Sequence, residues 1–422
     1  MAKSLIIQLA RFGDVLQTKR LVCSLLQDGG EVHLCVDASL AELARRIFPD
    51  AMVHGMRAHG TVAGDMTDAA GNMAHPVHSA EAMILAENRA VFDRLRAERF
   101  DAVFNLNFSG LNFALSAMFD PETVHGYRYA AGQHLKDRWM RMAFRWTRNR
   151  RTSPLNLMDF WGLLAPNPIR PESVNPIAMR KGGGLGVVLA GRNSRRSLPV
   201  DMLARCVQAV FEAHGGPRVT LLGTRAELPL ARQLMRHFSG ALLNRTEDRV
   251  GRTDYGGLVD MVSGLDVLLT PDTGTMHLAA HLGTPVQAFF LSSAWAHETG
   301  PYGLGHRVWQ AVLQCSPCLE SRPCPIGVEC LKSFDDPLFH RILAGKIDAS
   351  YPPGVLGLVS MLDAVGVTYL PVFGEDAAAA ARLDQRMLVA EMFGLVEDPV
   401  VEDNEAATAL LTEADWMLPA RG

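Results

Sequence analysis

The sequence predicts an α/β protein of two Rossmann-like, doubly wound domains, and three observations carry that prediction. Short apolar runs of strand length alternate with longer stretches of helical spacing, as in parallel sheets covered by helices. The alternation is interrupted once, over residues 166–184, where Pro-Asn-Pro, Arg-Pro, Asn-Pro and three successive glycines crowd together without periodicity, and it then resumes. At 422 residues and 48% hydrophobic content, the chain has core enough for two or three domains.

In the first half, residues 4–10 read as a strand, Arg11-Phe12-Gly13-Asp14 as a turn, and Leu16, Leu21, Val22, Leu25 and Leu26 as the apolar face of a helix. A strand over 32–36, helices over 39–47 and 82–98 and a strand over 100–106 follow. The second half repeats the scheme, with strands over 185–189, 219–222, 265–269 and 286–291 and helices over 200–214, 227–238 and 276–282. These readings divide the chain into a domain over 1–175, a second over 176–335 and a mainly helical extension over 336–422, which holds an Ala-rich run at 376–382 and an acidic stretch at 397–405. Two such halves on a Gly/Pro hinge are expected to face a cleft that takes a nucleotide at the carboxyl ends of strands.

Composition narrows the function. A net charge of −4 argues against a nucleic-acid binder. The apolar N-terminal run is soon interrupted by Arg11 and Asp14, too short for a secretory or membrane segment, so a cytoplasmic protein is expected. Seven cysteines, an odd number for a chain of this length, fit reduced thiols better than a disulfide framework.

The most informative segment is residues 269–285, Leu-Thr-Pro-Asp-Thr-Gly-Thr-Met-His-Leu-Ala-Ala-His-Leu-Gly-Thr-Pro, where an apolar strand runs through Asp272-Thr273-Gly274 into a helix expected at about Thr275. Amide groups at a helix start, with a glycine that lets a ligand approach the backbone, make an anion site. Thr273 and Thr275 add hydroxyls. A plain strand-to-helix turn capped by Asp and Thr would show the same residues.

Asp272-Thr-Gly-Thr-Met-His277-Leu-Ala-Ala-His-Leu-Gly283-Thr-Pro285 resembles the signature of glycosyltransferase family 9, the heptosyltransferases of lipopolysaccharide core synthesis, and the resemblance extends over most of residues 1–335. It implies a GT-B architecture: an acceptor domain, a donor domain and, here, a helical extension. The reaction it implies is an inverting transfer of a sugar, heptose from ADP-heptose first among the candidates, to a lipopolysaccharide core or another lipid-linked glycan. Asp272, Thr273, Gly274, Thr275 and His277 would line the donor site. The N-terminal Arg11-Phe-Gly-Asp14 matches the family's turn before the first helix, which makes Asp14 the general base, although a carboxylate there also caps a helix. In the loop Gly191-Arg-Asn-Ser-Arg-Arg-Ser-Leu-Pro199, Arg196 stands where the family carries a lysine facing the diphosphate. Glu227, in a strand-end turn, is the candidate for the donor ribose. No cofactor and no divalent metal is expected, since cationic side chains and a helix terminus already neutralise the leaving group.

Two features stand apart. Residues 136–151 interleave one lysine and six arginines with Trp139, Phe144 and Trp146, a basic amphipathic segment. Its Arg138, Arg141 and Arg145 are candidates for an anionic acceptor, and the segment as a whole for peripheral contact with the inner membrane face. A solvated helix face would read the same. Cys315, Cys318, Cys324 and Cys330 match a four-thiolate zinc site in number, but only the first pair has the short spacing of a zinc knuckle, so no bound metal is expected. Two other function classes compete: a nucleotide-sugar-binding protein without catalysis, and a Rossmann oxidoreductase or epimerase, whose Gly-x-Gly-x-x-Gly turn is missing after the first strand.

Overall fold

The computed structural model describes residues 1–58, 77–191, 194–319, 322–346 and 350–396. The acidic stretch at 397–405 lies outside the described residues. Two compact units divide the described chain, Met1–Phe144 with Trp161–Ile169, and Arg145–Phe160 with the residues from Arg170 onward.

The first unit holds six strands: β1 (Lys3–Gln8), β2 (Glu31–Asp37), β3 (Met52–Met56), β4 (Ala102–Asn105), β5 (Val124–Ala130) and β6 (Gln133–Lys136). Their order is β3-β2-β1-β4-β5-β6, parallel throughout except that β6 returns antiparallel to β5. Leu5, Ile6 and Ile7 of β1 are all but fully buried, as a central strand covered on both faces requires. Order reverses at β1, which pairs with β2 on one side and β4 on the other. The loops after β1 and β4 therefore leave the same carboxyl edge at a switch point, where doubly wound sheets bind ligands.

The second unit holds β7 (Leu185–Val188), β8 (Val219–Leu222), β9 (Thr246–Asp248), β10 (Val267–Pro271), β11 (Val286–Phe290), β12 (Arg307–Ala311), β13 (Val355–Leu362) and β14 (Val367–Phe373). The order is β14-β13-β12-β11-β10-β7-β8-β9. Strands β7 to β12 pair in parallel, and β13 and β14 add antiparallel at one edge. This sheet has its switch point between β7 and β10. A core of Val187, Leu189, Val207, Leu221, Leu269 and Phe289, with Phe334 and Phe339 from the following helical turns, joins one face of the sheet to its covering helices.

Two expectations need correction. Residues 336–396 are not helical throughout: between helix Pro337–Leu343 and helix Ala379–Met392, β13 and β14 form a hairpin that extends the second sheet. Val, Leu and Tyr at successive strand positions, with the turn closed from Asp363 N–H to the Gly366 carbonyl at 3.0 Å, suit a pleated edge better than a helix. Residues 145–160 belong to the second unit and not to the first. The glycine run 182–184 is held closely: a Cβ on Gly184 would lie 2.2 Å from the Arg218 carbonyl oxygen, and Gly182 and Gly184 N–H donate to the Asp266 carboxylate at 2.6 and 2.9 Å.

Candidate functional site

In the second unit, β7 and β10 are neighbours in register from Leu185 opposite Val267, so the loops that leave their carboxyl ends are neighbours too. The first carries Arg195 and Arg196, and the second carries Asp272 and the start of helix Gly274–His281. That adjacency is why two residues 76 positions apart meet: the Arg196 guanidinium makes an ion pair with Asp272 Oδ2, with side-chain exposures of 14% and 7%. Thr299 Oγ1 donates to the same carboxylate oxygen at 3.1 Å. His277, on the first turns of the helix and buried, places Nε2 4.0 Å from Asp272 Oδ1. Burial pushes the Asp272 carboxyl above its ordinary value, against the pull of Arg196, the Thr299 hydrogen bond and Arg150.

The helix begins at Gly274, capped by Thr273, whose hydroxyl accepts from Met276 N–H at 3.3 Å and shares a 2.9 Å hydrogen bond with Thr270 Oγ1. The capping role of the threonine is thus realised. It leaves the helix start and its macrodipole beside the Arg196–Asp272 pair. Glu227 folds back on its own turn, where its carboxylate accepts from Thr224 N–H in a reciprocal capping box.

Residue types alone did not announce a second buried pair in this region. Arg150 Nε donates to Glu298 at 3.1 and 2.9 Å, and its guanidinium also reaches the Ser293 and Cys318 carbonyls at 2.8 and 3.2 Å. Burial raises the Glu298 pKa against the pull of Arg150. The only sequence signal was Glu298 preceding Thr299-Gly-Pro, and Arg150 lay among arginines read as a surface face.

The basic segment divides accordingly. Arg138 and Arg141 are exposed and Arg145 half-buried, whereas Trp139, Phe144 and Trp146 are buried, at 9%, 9% and 6% exposure. Those three aromatics do not face outward as an interfacial anchor needs, because they fill the core side of helix Arg138–Trp146. Arg151 turns inward as well, donating to the Ser316 carbonyl at 2.6 Å and the Gln314 carbonyl at 2.9 Å.

In the first unit, Asp14 lies in the short helix Phe12–Leu16 that leaves β1, and its Oδ2 accepts from Arg11 N–H at 3.1 Å. It is partly exposed, so its carboxylate caps the helix and still reaches solvent. The four cysteines line one cavity of about 380 Å³ together with Arg195 and Ser292, and all are free thiols. Arg195 Nη2 donates to Cys318 Sγ at 3.1 Å. Backbone N–H groups of Ile326 and Val328 draw the Cys324 pKa down, and burial pushes Cys330 up. Among the described residues the set of metal-capable side chains with mutually close ligand atoms is Glu31, His33 and Glu98, within 4.8 Å, and the Lys3 ammonium already sits on both of its carboxylates at 3.3 and 2.6 Å.

Comparison with known proteins bears on part of the second unit. Residues 207–326 match the family model of glycosyltransferase family 9 (heptosyltransferase). This stretch is a glycosyltransferase family 9 domain. With it the chain takes its place among the glycosyltransferases. The family 9 domain includes Glu227 and the whole 269–285 segment, while Asp14 and Arg196 lie N-terminal to it. In fold, the chain is similar to ADP-heptose lipopolysaccharide heptosyltransferase II of Escherichia coli, with 15% identity and a TM-score of 0.52 over 74% of this chain and 91% of that one. It is likewise similar to the family 9 glycosyl transferase of Veillonella parvula, with 13% identity and a TM-score of 0.54 over 74% and 88%. These likenesses identify an α/β fold of GT-B type. No curated protein matches the chain in sequence. No helix among the described residues is long and apolar enough to cross a membrane.

Proposed function

We propose that the chain is an inverting glycosyltransferase that moves a sugar, with heptose from ADP-heptose the first candidate, onto a lipopolysaccharide core or related lipid-linked glycan. The observation that carries the reading is the Arg196–Asp272 pair set at the start of helix Gly274–His281, at the switch point of the sheet whose strands β8 to β12 fall in the family 9 match. A fixed guanidinium and free helix-start amides make a cradle for a diphosphate without a metal ion. The likeness to the solved ADP-heptose lipopolysaccharide heptosyltransferase II supports the choice of donor.

In this mechanism an acceptor hydroxyl oxygen attacks the anomeric carbon as the bond from that carbon to the diphosphate oxygen breaks. The hydroxyl proton goes to the Asp14 carboxylate. The electron pair of the broken bond stays on the diphosphate, where Arg196 and the amides of Gly274 and Thr275 hold the added charge. Asp272 keeps the guanidinium in place, with His277 packed behind it, and Glu227 takes the ribose hydroxyls. Arg138, Arg141 and Arg145 are the proposed contacts for anionic groups on the acceptor, and peripheral association with an anionic membrane would rest on the exposed Arg138 and Arg141 alone. The test is nucleotide release from ADP-heptose, UDP-sugars and GDP-sugars by the purified full chain, followed by calorimetric titration with ADP. ADP binding together with preferential hydrolysis of ADP-heptose supports the reading. Failure to bind any nucleoside diphosphate would sink it.

A further inference from the structure

An isolated exposed apolar side chain is ordinary, but Phe108 is placed and held in a way that calls for a ligand. It follows β4 at the switch point of the first sheet, and the loop that carries it is tied to the loop after β1 by Leu9 N–H donating to Asn107 Oδ1 at 2.8 Å. That second loop runs directly into Arg11 and Asp14. The Phe108 ring is 49% exposed, yet edge contacts fix it on three sides, to Phe113, Tyr127 and Phe144, each with ring centroids 5.4 Å apart. The Lys136 ammonium lies 5.6 Å from its centroid and 4.0 Å from that of Phe144. Two residues on in the chain, a Cβ on Gly110 would meet nothing within 4 Å, and Leu111 is 38% exposed.

We infer that Phe108 is the stacking platform for a pyranose ring of the acceptor, and so a specificity-determining residue on the Asp14 side of the reaction. The inference rests on the transferase reading above. The chemistry follows from the ring. An aromatic face is electron-rich, and the axial C–H bonds on one face of a pyranose are weakly positive, so the two attract while the sugar's hydroxyls stay at the rim. A ring already immobilised by three neighbours loses little freedom on binding. The platform thus adds an apolar face for one sugar ring to a side of the site that also carries cations.

The experiment uses the full chain and its Phe108→Ala and Phe108→Trp variants, with methyl pyranosides of the manno, gluco and galacto series as probes. Saturation is transferred from aromatic protein protons to the sugar, and ADP affinity is measured by calorimetry on all three proteins. We expect transfer onto the protons of one pyranose face in the parent, a Kd roughly 2- to 10-fold higher in Phe108→Ala, recovery in Phe108→Trp, and equal ADP affinity throughout. Unchanged sugar binding in Phe108→Ala overturns the inference, as does saturation transfer to a detergent micelle but to no pyranoside. If the parent binds no ADP, it is the transferase reading that fails, and the two failures remain distinct.

Discussion

Asp272 carries a charge that burial opposes and Arg196 sustains. Because the folded protein holds this carboxyl above its usual pKa, folding takes up a proton there, so its stabilising effect is complete below the unfolded value and is lost as pH rises through the folded value. Removing the guanidinium raises the folded value further. Arg196→Ala should therefore cost little at a pH acid enough to protonate Asp272, and roughly 3–5 kcal/mol near neutrality, where an unpaired buried carboxylate remains. Urea midpoints of parent and variant at the two pH values check this, and a gap that stays constant with pH would contradict it. Asp14 makes a different demand. Its hydrogen bond to Arg11 N–H survives replacement by Asn, whose side-chain oxygen also accepts, so Asp14→Asn should stay folded and bind ADP as the parent does. Transfer should fall by roughly 100- to 10,000-fold, the usual worth of a general base. Near-normal turnover would reduce Asp14 to a cap. The candidate residues were legible one by one because each sits in a short local pattern. Their partners were not: Thr299 and the Arg150–Glu298 pair reach this region only through strand order, which residue spacing does not encode.

At the scale of elements, the proposed donor site turns on the start of helix Gly274–His281. A side chain at position 274 should block a diphosphate from the amides while Thr273 continues to cap the helix. Gly274→Val is therefore expected to weaken ADP binding strongly with little change in melting temperature, measured by calorimetry and thermal unfolding, and parental ADP affinity would move the phosphate site elsewhere. Helix Ala379–Met392 has a structural task. Arg382, 6% exposed at its side chain, pairs with Asp376 at 2.7 Å and donates to the Arg151 carbonyl at 3.2 and 2.9 Å. His297 also faces Asp376, at 3.7 Å, and burial holds it neutral with a pKa lowered to about 4. Arg382→Met should lower the unfolding free energy by roughly 3–5 kcal/mol, because Asp376 keeps its burial and loses its cation. Equilibrium unfolding in urea measures the loss. The parallel strands β1, β2, β4, β7, β8, β10 and β11 were legible because buried parallel strands are nearly continuous apolar runs. β3, Met-Val-His-Gly-Met, offers neither a run nor an alternation. The hairpin of β13 and β14 had good strand residues, but the neighbouring alanine run at 376–382 drew the reading toward helix.

At the scale of the whole molecule, the Gly/Pro-rich stretch marks only one of the places where the chain passes between units. Residues 145–160 lie earlier in sequence and serve as interior parts of the second unit. Asp159 accepts from Tyr302 Oη at 2.7 Å and from Val367 N–H at 2.9 Å, Asn156 Nδ2 donates to the Gly300 carbonyl at 3.2 Å, and the Pro154 carbonyl accepts from Arg386 at 2.6 Å. Arg150 holds Glu298, and Gly366 is a glycine because a Cβ there would fall 1.9 Å from the Asp159 carboxyl. An excursion of this kind escapes a sequence reading, since the arginines and aromatics that make it inward-facing look like one amphipathic surface helix. It leads to a prediction about truncation. A fragment over 176–422, cut where the proline and glycine signals suggest, leaves the Tyr302, Val367 and Glu298 partners without their hydrogen bonds, each a buried group that costs about 1–3 kcal/mol, against a typical total stability of about 5–15 kcal/mol. A fragment over 145–422 keeps all of them. The longer fragment should unfold cooperatively and bind ADP, whereas the shorter one should show a broad or absent transition and no ADP binding, read by circular dichroism and calorimetry. Equal folding and equal ADP affinity in the two fragments would mean that residues 145–160 decorate the second unit without completing it.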